Sequence, residues 1–143
     1  MIEYNCRMGD PETEVVIPRI QNDLVELLVA TAAGDLAAQT IETDSRYATT
    51  IVAVSGGYPE DFQKGFEISG LENYFTDGII FHAGTKADNG KIVTNGGRVL
   101  CATALANELK EAIGKSRKML DAISFEGKYF RSDIGYEFGP GNS

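Results

Sequence analysis

The sequence has no tryptophan, one histidine, four prolines and two cysteines in 143 residues. Cys6 and Cys101 are too few for a disulfide scaffold and too far apart for a CxxC metal site, so they read as reduced thiols. Basic residues are also scarce. Thirteen Lys and Arg stand against 21 Asp and Glu, a net charge of −8. That balance argues against a nucleic-acid partner, which needs a basic patch, and against docking on anionic membranes. It leaves small anions open, because a glycine turn or a single arginine can hold a phosphate inside an acidic protein. No apolar run approaches the ~20 residues needed to cross a bilayer. The opening MIEYNCR lacks the basic and apolar regions of a signal peptide, so a cytoplasmic protein is expected. There is no internal repeat and no low-complexity tract.

What remains is the composition of an ordinary globular chain, 43% hydrophobic and 24% charged. A chain of this size buries roughly 68–70% of its unfolded surface, enough for its own core. Ile2, Tyr4 and Cys6 alternate with Glu3 and Asn5, the pattern of a short half-buried strand. Gly9-Asp10-Pro11 is a turn signal. Pro18, then Ile20, Leu24, Leu27 and Leu28 at helical spacing, predict one amphipathic helix over residues 18–33, stopped by Gly34. The polar stretch DLAAQTIETDSR places a linker within 36–46 and a domain boundary near residue 41.

From Tyr47 onward the signals are mostly β. Strands are expected over 47–55, 66–68, 78–83 and 98–104, and Asp88-Asn89-Gly90 between HAGTKA and KIVT is a hairpin signature. Asn107 is the expected cap of a helix over about 107–122, with Leu109, Ala112, Ile113, Ser116, Met119, Leu120 and Ile123 on its inner face. Phe125, Tyr129, Phe130, Ile134 and Tyr136 suit a closing strand or an aromatic cover, and GPGNS at 139–143 is expected to be disordered. The expected fold class is α+β, with a mainly antiparallel domain and one long helix.

Four stretches could carry chemistry. Glu3 and Asn5, two apart on a strand, present a carboxylate and an amide oxygen on one side. These are hard donors that suit Mg²⁺, or else a solvent-facing strand edge. Arg7 can hold a carboxylate or phosphate bidentately. Arg7, Asp10 and Glu12 could equally form a structural ion cluster around the turn. His82 reads as a hydrogen-bonded structural residue, because no nucleophile elbow accompanies it. Thr94, Asn95, Gly96, Gly97 and Arg98 combine turn N–H groups with a guanidinium, either an anion site or a plain hairpin turn.

In order and spacing, these segments resemble one family. IEYNCRMGDPETE resembles the EYNxRFGDPETQ signature of the glycinamide ribonucleotide synthetases (phosphoribosylamine–glycine ligases), and SGGYP, FHAGTK, VTNGGRVL and FRSDIGY resemble that family's C-terminal domain. The resemblance covers nearly the whole chain, with Met8 in place of the usual Phe and Glu14 in place of the usual Gln. It implies an ATP-grasp ligase of purine synthesis that joins glycine to 5-phosphoribosylamine, using ATP and Mg²⁺ or Mn²⁺, through glycyl phosphate. It implies Glu3 and Asn5 as metal ligands and Arg7 and Asp10 as glycine contacts. It further implies Thr94, Asn95, Gly96, Gly97 and Arg98 as contacts to phosphoribosylamine. Residues 1–40 would end the ATP-grasp unit with a strand, a loop and a helix. Residues 41–143 would form a C-terminal domain of barrel-sandwich hybrid type.

The family's enzymes are about three times longer. The expected partners of this chain are therefore the missing N-terminal and ATP-grasp domains, and the chain alone is expected to be inactive. An unpaired leading-strand edge also invites a homodimer. Two rival functions are another ATP-grasp ligase for a different small acid and a non-catalytic β module for domain docking.

Overall fold

Apart from its leading arginine, the stretch RVLCATALA carries no charge, and a continuous apolar run is what a strand covered on both faces requires. In the computed structural model, which describes residues 6–138, this stretch is strand β5 (Arg98–Ala106), buried at every residue after Arg98. It lies between β1 (Tyr47–Val54) and β2 (Gly78–His82), antiparallel to both. A hairpin of β3 (Thr85–Asp88) and β4 (Lys91–Thr94) forms a second sheet through Asn89 and Gly90, both at positive φ. The fold is therefore mixed α/β and mainly antiparallel. Among the described residues the strands form two separate sheets, with no closed barrel.

Alternation on β1 decides which face is core. Thr49, Ile51 and Ala53 turn inward and meet Leu100, Ala102 and Ala104 of β5 in register. Helix α3 (Leu109–Asp121) packs on that face through Ala112, Ser116, Met119 and Leu120. Two alanines on β5 let the helix come close. Ser116 Oγ then reaches 2.9 Å from Thr49 Oγ1 and donates to the Thr49 carbonyl at 3.1 Å, so the buried hydroxyls are paired. Lys128 Nζ donates to the Leu120 carbonyl at 2.6 Å and to that of Ile123, closing the helix's C-terminal end with a cation. The tail covers the outer edge of β1. Val54 and Tyr129 exchange backbone bonds at 2.8 and 3.1 Å, and Phe130 and Ile134 pack on the core.

Three expectations need correction. The helix expected over 18–33 is broken: its start is a 3-10 turn (Ile17–Arg19) that continues a short α1 (Thr13–Val16), and only α2 (Leu24–Ala33) is helical beyond it. Ile20 is extended and bridges Thr43, with Gln21 N–H donating to Glu42 O at 2.9 Å and Asp44 N–H to Arg19 O at 2.7 Å. That pairing interrupts the helix, and Asp23 restarts it by accepting from the Val25 and Glu26 N–H groups. Gly34, at φ +80°, ends α2 as expected. Asn107 is not the cap of α3: Glu108 occupies that position and its side chain makes no capping bond. Residues 66–68 form no strand, only a Glu67–Val93 bridge with Ser69–Ser124 beyond it. The expected leading strand and the disordered 139–143 tail lie outside the described residues, apart from Cys6, which is exposed.

The polar linker is fastened rather than loose. Asn22 bonds both Thr40 O and Glu42 N. Arg46 grips Asp44 at 2.7 Å and Asp77 at 2.8 Å, and Asp77 also faces Lys115 of α3 at 3.6 Å. Helix α2 differs from α3 in having little cover. Val25, Leu28 and Val29 are 60–67% exposed, and only Leu27 and Ala30 are buried.

Two measurements check this architecture. Leu120→Ala removes a fully buried side chain at the centre of the core and should cost about 2–5 kcal/mol in urea unfolding, against less than ~0.5 kcal/mol for Val25→Ala. The Arg46 guanidinium lowers the Asp44 carboxyl to about 2. A depressed carboxylate stabilises the fold above its unfolded value near ~3.9, and that contribution is lost as pH falls through about 2. Arg46→Gln should therefore weaken the acid dependence of the melting temperature between pH 4 and 2.

Candidate functional site

The turn after β4 is held from three sides. Gly84 N–H donates to Arg98 O at 2.8 Å and Asn95 N–H to Gly84 O at 2.7 Å. The two backbones approach so closely that a Cβ on Gly84 would lie 2.6 Å from Gly96 Cα, so only glycine fits there. The second anchor is Ser55. Its N–H donates to Gly97 O at 2.8 Å and its Oγ to Gly96 O at 2.9 Å. The third is Tyr58, whose ring lies where a Gly97 side chain would be: a Cβ there would sit 2.0 Å from ring Cδ2. SGGYP is thus the mould in which NGG is cast.

Arg98 leaves this turn toward the N-terminal segment. Its Nη2 lies 3.1 Å from Asp10 Oδ2, and its Nη1 donates to the Asp10 carbonyl at 3.3 Å. Two motifs 88 residues apart in sequence are thereby joined. The Asp10 loop has its own lock. The Gly9 carbonyl accepts from Thr13 N–H at 3.0 Å and from Thr13 Oγ1 at 2.6 Å, starting α1 directly after the loop. A cavity of about 220 Å³ opens beside the pair, walled by Pro11, Val52, Tyr58, Arg98 and Tyr129.

The other candidates fall in different places. Arg7 is exposed and donates from Nη1 to Met8 O at 2.8 Å. Thr94 is fully buried. Its Oγ1 accepts from Phe66 N–H at 3.1 Å, and its backbone bonds Phe66 O and Gly65 N–H, so its side chain serves the fold. Gly96 and Gly97 keep their N–H groups without an acceptor among the described residues. Glu12 folds over Gly9. His82 sits on edge strand β2 with Nδ1 3.0 Å from Thr85 Oγ1, a local contact within its own turn. Glu3 and Asn5 lie outside the described residues. Among the described residues no cluster of three His, Cys, Asp or Glu is arranged to hold a metal. No helix in that range is long and apolar enough to cross a membrane.

Comparison with known proteins fits this layout. The family described as phosphoribosylglycinamide synthetase, C domain, matches residues 48–137. A phosphoribosylamine–glycine ligase of Vibrio cholerae is 48% identical over 137 residues, covering 95% of this chain and 32% of the relative. A bifunctional purine biosynthetic protein of Pichia angusta is 47% identical over 95% of this chain and 17% of its own length. The crystal structure of a Thermotoga maritima phosphoribosylamine–glycine ligase superposes with a TM-score of 0.74 at 36% identity, over 93% of this chain and 32% of that one. The chain thus spans about a third or less of the length of these relatives.

The buried strand that carries Arg98 offers a chemical check. Cys101 of β5 is fully buried, and burial, followed by the negative charges of Glu14 and Asp10, pushes its thiol up to about 12. At pH 8 it should stay protonated and shielded while exposed Cys6 reacts. Titration with a disulfide-exchange chromophore should count one thiol in the native chain and two after denaturation.

Proposed function

Because this chain belongs to the phosphoribosylglycinamide synthetase family, whose C domain matches residues 48–137, we propose that it is part of an ATP-dependent ligase joining glycine to 5-phosphoribosylamine. One observation carries this reading. Arg98, within the family domain, is locked onto Asp10 of the GDPETE loop outside it, so the two motifs form one site. The finer architecture belongs to the same proposal. Residues 1–40 end an ATP-grasp unit, and residues 41–143 form a barrel-sandwich hybrid domain. The remaining domains of the cytoplasmic ligase complete the site.

In this reading Arg7 pairs with the glycine carboxylate. Asp10 accepts from the glycine ammonium through Oδ1, the oxygen that Arg98 leaves without a bond among the described residues. A carboxylate and an amide oxygen are hard donors, so Glu3 and Asn5 fit Mg²⁺ or Mn²⁺. Such an ion would offset charge on the ATP phosphates. The γ-phosphoryl of ATP passes to the glycine carboxylate, giving glycyl phosphate and ADP. The amine of phosphoribosylamine then attacks the acyl carbon and phosphate leaves. The open N–H groups of Gly96 and Gly97, with Asn95 and Arg98 beside them, face the phosphorylated substrate. Thr94 supports that turn from beneath. The residues of this chain bind and orient, and positioning of this kind is a large share of phosphoryl-transfer catalysis.

The test uses the longer ligase that carries this sequence. It should form glycinamide ribonucleotide from glycine, phosphoribosylamine and ATP, and Asp10→Asn should lower kcat/KM for glycine by about 10²-fold or more. This 143-residue chain alone should form none. Product formed by the chain alone, or an Asp10→Asn enzyme with unchanged kcat/KM, would falsify the proposal.

A further inference from the structure

Arg98 and Asp10 are each close to half exposed, with side chains 42% and 47% accessible. An ion pair that open is worth little by itself, roughly 0–1 kcal/mol, and a freely moving arginine would not keep its grip. What keeps it is the position of the Arg98 backbone. Gly84 N–H holds the Arg98 carbonyl, and Ser55 holds the carbonyls of the preceding Gly96 and Gly97. Tyr58 acts differently, because its ring fills the space above Gly97. The Tyr58 N–H donates to Ser55 O at 3.1 Å, and its ring meets Phe62 edge to face at 6.0 Å. The same ring also lines the cavity shared by Pro11 and Arg98, so it stands against both the turn and the loop.

We propose that Tyr58 is a positioning residue: its ring on Gly97 sets the 95–97 turn so that Arg98 clamps Asp10, and it acts on the reaction only through that clamp. The kinetic part rests on the ligase reading above. The ring is the working part, since the hydroxyl bonds nothing among the described residues. Removing the ring frees the turn to shift toward the space it vacates. The Arg98 guanidinium then loses its two-point hold, and the Asp10 carboxylate gains freedom to rotate away from its ligand.

Two arms test this. In the first, deuterium uptake is followed over residues 9–16 of this chain, the loop and α1. Tyr58→Ala and Arg98→Ala should each speed uptake by up to ~5-fold. The double variant should be no faster than Arg98→Ala, and Tyr58→Phe should restore the slow rate. Unchanged uptake in Tyr58→Ala, or effects that multiply in the double variant, overturns the proposal. In the second arm, the longer ligase carrying Tyr58→Ala should show KM for glycine raised roughly tenfold with KM for ATP unchanged, again with no further effect on top of Arg98→Ala. A Tyr58→Ala enzyme that loses only thermal stability while keeping its KM for glycine also overturns the proposal. If the wild-type ligase does not join glycine at all, the functional reading fails, and the uptake arm alone decides the role of Tyr58.

Discussion

Strand β5 has water on neither face. Burying a strand on both sides demands that its neighbours satisfy every backbone group and that both faces be covered by side chains. β1 and β2 do the first. α3 covers one face, and α1 leans on the other. The candidate site follows from this. Arg98 is the first residue of β5 and the only exposed one, so the strand that anchors the core also delivers the guanidinium. A rigid strand start is a better mount for a charged group than a loop tip, because the core fixes its Cα.

The glycines near this strand act through what they lack. The approach of Gly84 to Gly96 and the ring of Tyr58 on Gly97 both occupy volume that any side chain would take. The gain is a turn whose Gly96 and Gly97 carbonyls are bound to Ser55 and whose Gly96 and Gly97 N–H groups meet no acceptor among the described residues. Such a turn can present donors to an anion without first rearranging, so less entropy is lost on binding.

How much of this was legible depended on the range of the interaction. β5 showed as a continuous apolar run, β3–β4 as an Asp-Asn-Gly turn, and the end of α2 as Gly34, because each is written within a few neighbouring residues. The break at Ile20 was not legible. It comes from pairing with Thr43, and helical spacing on one segment carries no information about a partner 23 positions away. Asn107 looked like a cap for the same reason, while the chain leaves β5 and enters the helix one residue later. In the site, Arg98 and Asp10 were both visible as residues, yet nothing local joined them. Family resemblance placed them in one enzyme, and the fold brings Arg98 Nη2 to 3.1 Å from Asp10 Oδ2. The support from Tyr58 was not legible because its ring matters only to a turn three strands later in the chain.

The link between Asp10 and Arg98 spans 88 residues, and β1 pairs with a strand that begins 44 positions after β1 ends. A chain emerging from the ribosome releases its residues in order, at about 5–20 per second. The loop bearing Asp10 is therefore in solution for several seconds before β5 exists to receive it, and the core cannot close until α3 has followed. Long-range closure of this kind comes late in folding. A chain that stops before β5 would hold α1, α2 and the β3–β4 hairpin with no guanidinium for Asp10 to meet. The Asp10–Arg98 pair thus cannot form until synthesis has passed the start of β5.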